Sequence, residues 1–215
     1  MKSTEPTKLD AATRTARQVY RKGLPKAVRK AAKKSGWHCS QGDIFRELDG
    51  WFIGASLSVN RLRIETRMRL AVKPMQADPI FWDIVGLEEN ASQSLSFRWF
   101  GRWTCPAPVL FDEEIAESDD LTDLDDVTTR FLSRADDCLR SIQSFTIEEF
   151  LELCLGKPRP ENYLAAEVSA LIIMGKREEA RAFCEQARRE GHGGGFMGGR
   201  RQFPDMAIDW LNSKT

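Results

Sequence analysis

Residues 44–59, IFRELDGWFIGASLSV, divide at Asp49-Gly50 into two runs rich in aromatic and branched residues. Asp-Gly supplies the left-handed backbone that a two-residue turn needs, so the stretch reads as a β-hairpin. Upstream, Trp37–Leu48 (WHCSQGDIFREL) forms the first limb of the hairpin. Downstream, RLRIETRMRL (Arg61–Leu70) alternates strictly, with Leu62, Ile64, Met68 and Leu70 on one side and Arg61, Arg63, Glu65, Arg67 and Arg69 on the other. A slip of one residue would bury the arginines, which fixes the register. PIFWDIVG (79–86) and SLSFRWFGRWTC (94–105) supply two more strands, with Gly101 as a bulge. The short connections favour a mostly antiparallel sheet of about five strands over residues 37–111.

Helical periodicity flanks this sheet. Leu9 to Tyr20 repeats at helical spacing and stops at Gly23-Leu24-Pro25; proline suits a first turn, so a second, basic helix runs from Pro25 to Gly36. From Thr122 the helical period returns. Thr122 caps a helix with Asp123, Asp125 and Asp126 in its first turn, favourably placed at the positive end of the dipole. Its apolar stripe is Leu124, Val127, Phe131, Ala135, Cys138 and Ile142. Thr146–Glu149 (TIEE) is a capping box, and Gly156 with Pro158 closes that helix. Two further helices, Glu161–Met174 and Lys176–Glu190, turn about Gly175, and PDMAIDWL makes a short docking helix. N-terminal helices, then a sheet, then a layer of about four helices define an α+β fold. The expected organisation is a basic helical segment over 1–24 and one domain over 25–215, its helical layer spanning 122–213.

The 215 residues carry 32 basic and 32 acidic side chains, so the formal net charge is zero. That balance argues against a protein built throughout to coat nucleic acid. The charge is nevertheless segregated: Lys2–Lys34 is opposed only by Glu5 and Asp10, and Asp112–Asp126 contains acids and no base. Such blocks mark solvated faces, tails or docking surfaces. The five cysteines are scattered, with no Cys-x-x-Cys pair, which reads as reduced thiols in a cytoplasmic protein. No stretch has the length of a membrane-spanning helix.

Two resemblances add to this reading. The basic helix, Gly36-Trp37, Phe45-Arg46, Gly50-Trp51 and FIGASLSV together resemble the bacterial domain-of-unknown-function family 4304, over most of Pro25–Glu190. That resemblance implies an α+β fold and carries no assigned activity. LAAEVSALIIMGKREEARAFCEQA (164–187) is similar to one tetratricopeptide-type helical hairpin. A single copy is a packing device, because such repeats need neighbours to bury their faces.

Chemistry-bearing motifs are sparse. His38 and His192 are the only histidines, and His38 and Cys39, adjacent in a strand, point to opposite faces. The cysteines and histidines lack zinc spacing, and DEEIAESDDLTDLDD (112–126) lacks the central glycine and terminal glutamate of a calcium loop. It reads as a solvated loop entering a helix. No cofactor, metal or catalytic residue is expected. GHGGGFMGGRR (191–201) follows a helix and has no Lys-Ser/Thr, unlike a phosphate loop; it reads as a mobile joint that lets Phe203, Met206 and Trp210 fold back. Trp51, Trp82 and Trp99 read as core anchors.

The arginine row has two readings, a cationic grip for phosphates or carboxylates and a solvated face balanced by cross-strand acids. Arg61, Arg63, Arg67, Arg69, Arg98 and Arg102 are the candidate partner-binding residues. The leading expectation is a non-enzymatic protein-binding protein. Its most concrete form is a bacterial immunity or antitoxin-like protein that neutralises a toxin. The alternative is a nucleic-acid-binding module that uses the basic N-terminal segment and the arginine-lined sheet face.

Overall fold

One long helix, α1 (Ala11–Ser35), leads into the sheet where two helices were expected. The computed structural model describes residues 11–59, 66–116, 123–198 and 201–214. Within α1, Tyr20, Leu24, Val28 and Ala32 recur at every fourth position and are all buried, so one apolar stripe crosses the glycine and the proline without a break. Pro25 has no N–H for an intrahelical bond, and packing of that stripe against α4 (Leu124–Ile142) offsets the loss. A Cβ on Gly23 would lie 2.6 Å from the Leu124 Cδ1, so glycine allows the two helices to approach closely. Trp37 Nε1 donates to Asp136 Oδ1 at 2.8 Å and ties the end of α1 to α4. The boundary expected between residues 24 and 25 therefore falls inside α1.

The sheet is an antiparallel meander, β1 (His38–Ser40), β2 (Asp43–Leu48), β3 (Trp51–Val59), β4 (Thr66–Pro74) and β5 (Val109–Ala116), in sequential order. Trp37–Leu48 contains two strands rather than one. Both tight turns, Gln41-Gly42 and Asp49-Gly50, have positive φ at each residue (54° and 94°, 49° and 82°), the twist that joins adjacent antiparallel strands. Ile44, Ile53, Ala55, Met68, Leu70 and Val72 face the helices and are fully buried. Asp112–Ala116, expected as loop, belongs to β5.

PIFWDIVG and SLSFRWFGRWTC are not strands. The first lies in helix α2 (Ala77–Val85), ended by Gly86 in the left-handed region; the second contains the single turn α3 (Phe97–Phe100) and an irregular return to β5. A short apolar run does not distinguish strand from buried helix by its periodicity. This α2–α3 segment covers part of the sheet's second face. A Cβ on Gly54 would lie 2.3 Å from the Trp99 ring, and Trp99 Nε1 donates to Asp43 Oδ2 at 2.7 Å. Trp99 is thus half-buried on the sheet, while Trp51 and Trp82 are core residues.

Beneath this cover lies a buried ion cluster. Lys73 in β4 is 1% exposed and Asp78 in α2 is 0% exposed. Lys73 Nζ donates to Asp78 Oδ1 (2.8 Å), the Arg98 carbonyl (2.9 Å) and the Cys105 carbonyl (2.8 Å), which uses all three ammonium protons. Asp78 Oδ1 also accepts from the Cys105 N–H (2.8 Å), and Oδ2 accepts from the Arg98 guanidinium (2.9 Å). The same guanidinium donates to the Met75 carbonyl (3.1 Å) and lies over the Trp82 ring. Strand, helix and loop are cross-linked through one carboxylate.

Helices follow the sheet: α4, α5 (Ile147–Leu155), α6 (Leu164–Ile173), α7 (Arg177–Glu190) and α8 (Phe203–Ser213). Asp123 caps α4, its side chain accepting from the N–H groups of Asp125 and Asp126; Thr122, expected in that place, lies outside the described residues. The Thr146–Glu149 capping box is present, and α6 and α7 turn at Gly175 in the left-handed region. Gly191 ends α7 with φ 75°, and the His192 N–H donates to the Ala187 carbonyl at 2.8 Å. The glycine-rich stretch is a packed connection through residue 198. Gly194 sits against Leu164, Phe196 packs on Phe81 at 4.6 Å, and β6 (Met197–Gly198) pairs with β7 (Arg201–Gln202); residues 199 and 200 lie outside the described set.

Lys73→Met should cost about 3–5 kcal/mol, the range for removing one partner of a buried ion pair. Urea unfolding followed by tryptophan fluorescence measures it. A change below about 1 kcal/mol would mean that the cluster does not hold the second sheet face.

Candidate functional site

Arg67 and Arg69, the described part of the arginine row, are balanced by β5. Arg67 and Arg69 project from β4 opposite Glu114 and Asp112 in the strand register. Arg67 Nε lies 3.0 Å from Asp112 Oδ1, and Arg69 Nε lies 3.2 Å from Asp112 Oδ2. One carboxylate thus engages both guanidinium groups with both of its oxygens. On the other face of β5, Glu113 pairs with Arg134 of α4. Of the acids that looked like a solvated loop, Asp112 and Glu114 stand across the strand ladder from Arg67 and Arg69 and weaken the positive potential of that part of the face. Arg61 and Arg63 lie outside the described residues. Arg98 is not displayed with them: only 13% of its side chain is exposed, and it belongs to the buried cluster on the covered part of the sheet. Arg102 is exposed and stands apart, beside Trp103.

The stronger concentration of charge is on α1. Lys22, Lys26, Lys30, Lys33 and Lys34 are all exposed. At 3.6 residues per turn they lie on the side opposite the buried Tyr20–Leu24–Val28–Ala32 stripe, and at about 1.5 Å per residue they extend over about 18 Å. Arg29 borders this line, and α1 contains no acid. Among the described residues none of the five lysines pairs with a carboxylate. Burial of the apolar stripe orients the lysines: packing on α4 turns them to solvent. The only aromatic residue of α1, Tyr20, is buried and shares a hydrogen bond with Thr66 Oγ1 at 3.3 Å.

A groove of about 590 Å³ separates the β1–β2 turn from the 87–103 segment. Gln41, Asn90 and Gln93 supply amides to it, and Phe100, Arg102 and Trp103 form its far wall. Trp103 has φ +60°, a strained conformation for a bulky residue, and its carbonyl is held by the Trp82 indole N–H at 2.6 Å. The residue remains 37% exposed.

The thiols are unsuited to nucleophilic chemistry. Burial pushes Cys138 up to about 11 and Cys105 and Cys184 up to about 12, and it raises Cys154 further and Cys39 as well. His38 stacks on Phe45 on one sheet face and Cys39 lies on the other. Among the described residues no three His, Cys, Asp or Glu side chains gather to hold a metal ion, and no helix is long and apolar enough to cross a membrane.

No family model, curated protein or solved structure matches the chain. Sequence reading picked out the basic composition of α1 but not its single lysine line, because it broke the helix at Pro25. Trp103 carries no local signal, since its exposure depends on the Trp82 contact. A buried glutamate, Glu167, was also missed, although one acid in the apolar run LAAEVSALII is a visible anomaly.

Asp112→Asn should remove the shared counter-charge of Arg67 and Arg69 yet change the unfolding free energy by less than about 1 kcal/mol, as for other exposed pairs. Chemical denaturation checks this. A loss of several kcal/mol would make these pairs a structural clamp between β4 and β5.

Proposed function

We propose that the protein is a binding module that engages the phosphate backbone of duplex nucleic acid through the lysine face of α1. The observation that carries this reading is the line of Lys22, Lys26, Lys30, Lys33 and Lys34, none paired with a carboxylate among the described residues, on a helix without acids. Lysine is a compact, rotatable point charge suited to phosphate oxygens, whereas the planar arginine fork suits bidentate contacts to base edges. With Tyr20 buried, the described part of α1 offers no aromatic ring for stacking on unpaired bases, which favours a duplex over a single strand. Affinity of this kind is independent of sequence and comes from counterion release. The raised thiols and the separation of His38 from Cys39 support binding rather than catalysis.

One observation favours a second reading, a protein partner of the immunity or antitoxin kind. Trp103, Phe100 and Arg102 around the 590 Å³ groove combine the residue types that dominate protein interfaces. On that reading Trp103→Ala abolishes partner binding and charge reversal on α1 leaves it intact.

Fluorescence anisotropy with a random-sequence duplex tests the first reading. Neutralising roughly four phosphates should make log K fall against log salt with a slope of about −3.5. The triple variant Lys26→Glu, Lys30→Glu, Lys33→Glu should bind at least about tenfold more weakly, while unfolding like the parent because all three side chains are solvated. Absence of binding at low salt, or a triple variant that binds as well as the parent, would overturn the proposal.

A further inference from the structure

Between α5, α6 and α7 lies a carboxyl that the fold leaves unanswered. Glu167 on α6 is 1% exposed, and its Oε1 is buried without a hydrogen-bond partner. An unpartnered buried acceptor carries the full cost of its lost hydration. Glu167 lines a pocket of about 160 Å³ walled by Leu155, Leu164 and Phe183, with Glu161, Glu190 and His192 as further polar groups. Among the described residues no lysine or arginine lines it. At the rim, Glu190 accepts from Gln186 Nε2 at 2.9 Å and lies 3.4 Å from His192 Nδ1, so its charge is met locally. That of Glu167 is not.

Three carboxylates set against hydrocarbon walls select a cation with an apolar tail. The carboxylates are not gathered as metal ligands, since no group of three metal-ligating side chains occurs among the described residues. The volume is below the roughly 300 Å³ at which pockets for drug-sized ligands begin, and it suits one side chain or a small aliphatic amine. We propose that this pocket binds a primary alkylammonium group with a tail of about lysine length. Glu167 is the counter-ion, Leu155, Leu164 and Phe183 cover the methylenes, and the Gly191–Gly194 turn places His192 at the rim. The glycines of the stretch GHGGGFMGGRR thereby shape a site for a cation, where a phosphate loop would hold an anion. The site is independent of the lysine face of α1.

Ionisation supports the same geometry. Burial first, and the charge of Glu161 second, push the Glu167 carboxyl from its ordinary 4.5 up to about 7. In the free protein the folded state retains a proton that the unfolded chain releases, so this group lowers stability as pH rises from about 4.5 through about 7. An ammonium needs the ionised form. Raising the pH from 6 to 8 takes a group at about 7 from roughly one-tenth to roughly nine-tenths ionised, so affinity should rise about tenfold. The other groups facing the carboxyl are Glu161 ahead of α6, Cys154 from α5, whose thiol burial keeps protonated, and Glu190 and His192 at the end of α7.

Calorimetric titration of the full chain with cadaverine, and separately with a blocked Gly-Lys-Gly peptide, tests the proposal at pH 6 and pH 8. Saturable binding of either probe, about tenfold tighter at pH 8 and abolished by Glu167→Gln, is the expected result. Cadaverine alone would identify a free amine as the ligand type, and the peptide would identify a partner's lysine. His192→Gln should retain the pH dependence, which assigns it to Glu167. Leu155→Lys, a change at an exposed rim position that leaves the core intact, should weaken amine binding by placing a competing ammonium at the mouth. No saturable binding of either probe, equal binding by Glu167→Gln, or equal affinity at the two pH values would overturn it.

Discussion

Asp78 carries more of this structure than any other single group. Its two oxygens receive Lys73 from the sheet, Arg98 from α3 and a backbone N–H from the return to β5. Two cations and one anion, removed from water together, are tolerable only because the Lys73 protons and both Asp78 oxygens find partners and Arg98 is bonded at its buried end. The cluster fixes the α2–α3 segment onto the second face of the sheet. That cover in turn buries Phe52, sets Trp99 on Gly54 and holds Trp103 in its strained backbone through the Trp82 indole. It divides the face into a closed half and an open half, and only the open half displays Arg67 and Arg69.

The division of charge follows from these contacts. On the open half Arg67 and Arg69 stand opposite Glu114 and Asp112 across the strand ladder, so this described part of the face is close to neutral. On α1 the apolar stripe is used against α4, and Lys22, Lys26, Lys30, Lys33 and Lys34 have no carboxylate partner among the described residues. A chain with zero formal charge thus presents one strongly cationic face. Electrostatic binding depends on such local fields more than on totals. The acidic pocket beneath α7 is the complementary case, a small anionic site walled by hydrocarbon on the helical layer.

Much of the fold was legible from local chemistry. Asp49-Gly50 places the hairpin, the alternation of Met68 and Leu70 with Arg67 and Arg69 orients β4, and the Thr146–Glu149 box starts α5. The misread elements share a cause. PIFWDIVG and SLSFRWFGRWTC are short apolar runs whose periodicity fits strand and helix alike, and only tertiary packing chooses between them. Pro25 carried the local signal of a helix start, and a long-range stripe overrode it. Asp112 resembled loop because its cross-strand partners, Arg67 and Arg69, lie more than forty residues earlier. The arginine row was found, but the neutralisation of Arg67 and Arg69 is a contact between strands and is invisible along the chain. Lys73, Asp78 and Arg98 likewise meet only in three dimensions.

The direct test of the binding surface is a footprint of lysine reactivity toward an acylating reagent, read by peptide mass spectrometry with and without duplex nucleic acid. Lys22, Lys26, Lys30, Lys33 and Lys34 should lose reactivity when the duplex is present, while the exposed Lys176 and Lys214 on the far helices should be unchanged. Uniform protection of all lysines, or none on α1, would contradict the assignment of this face.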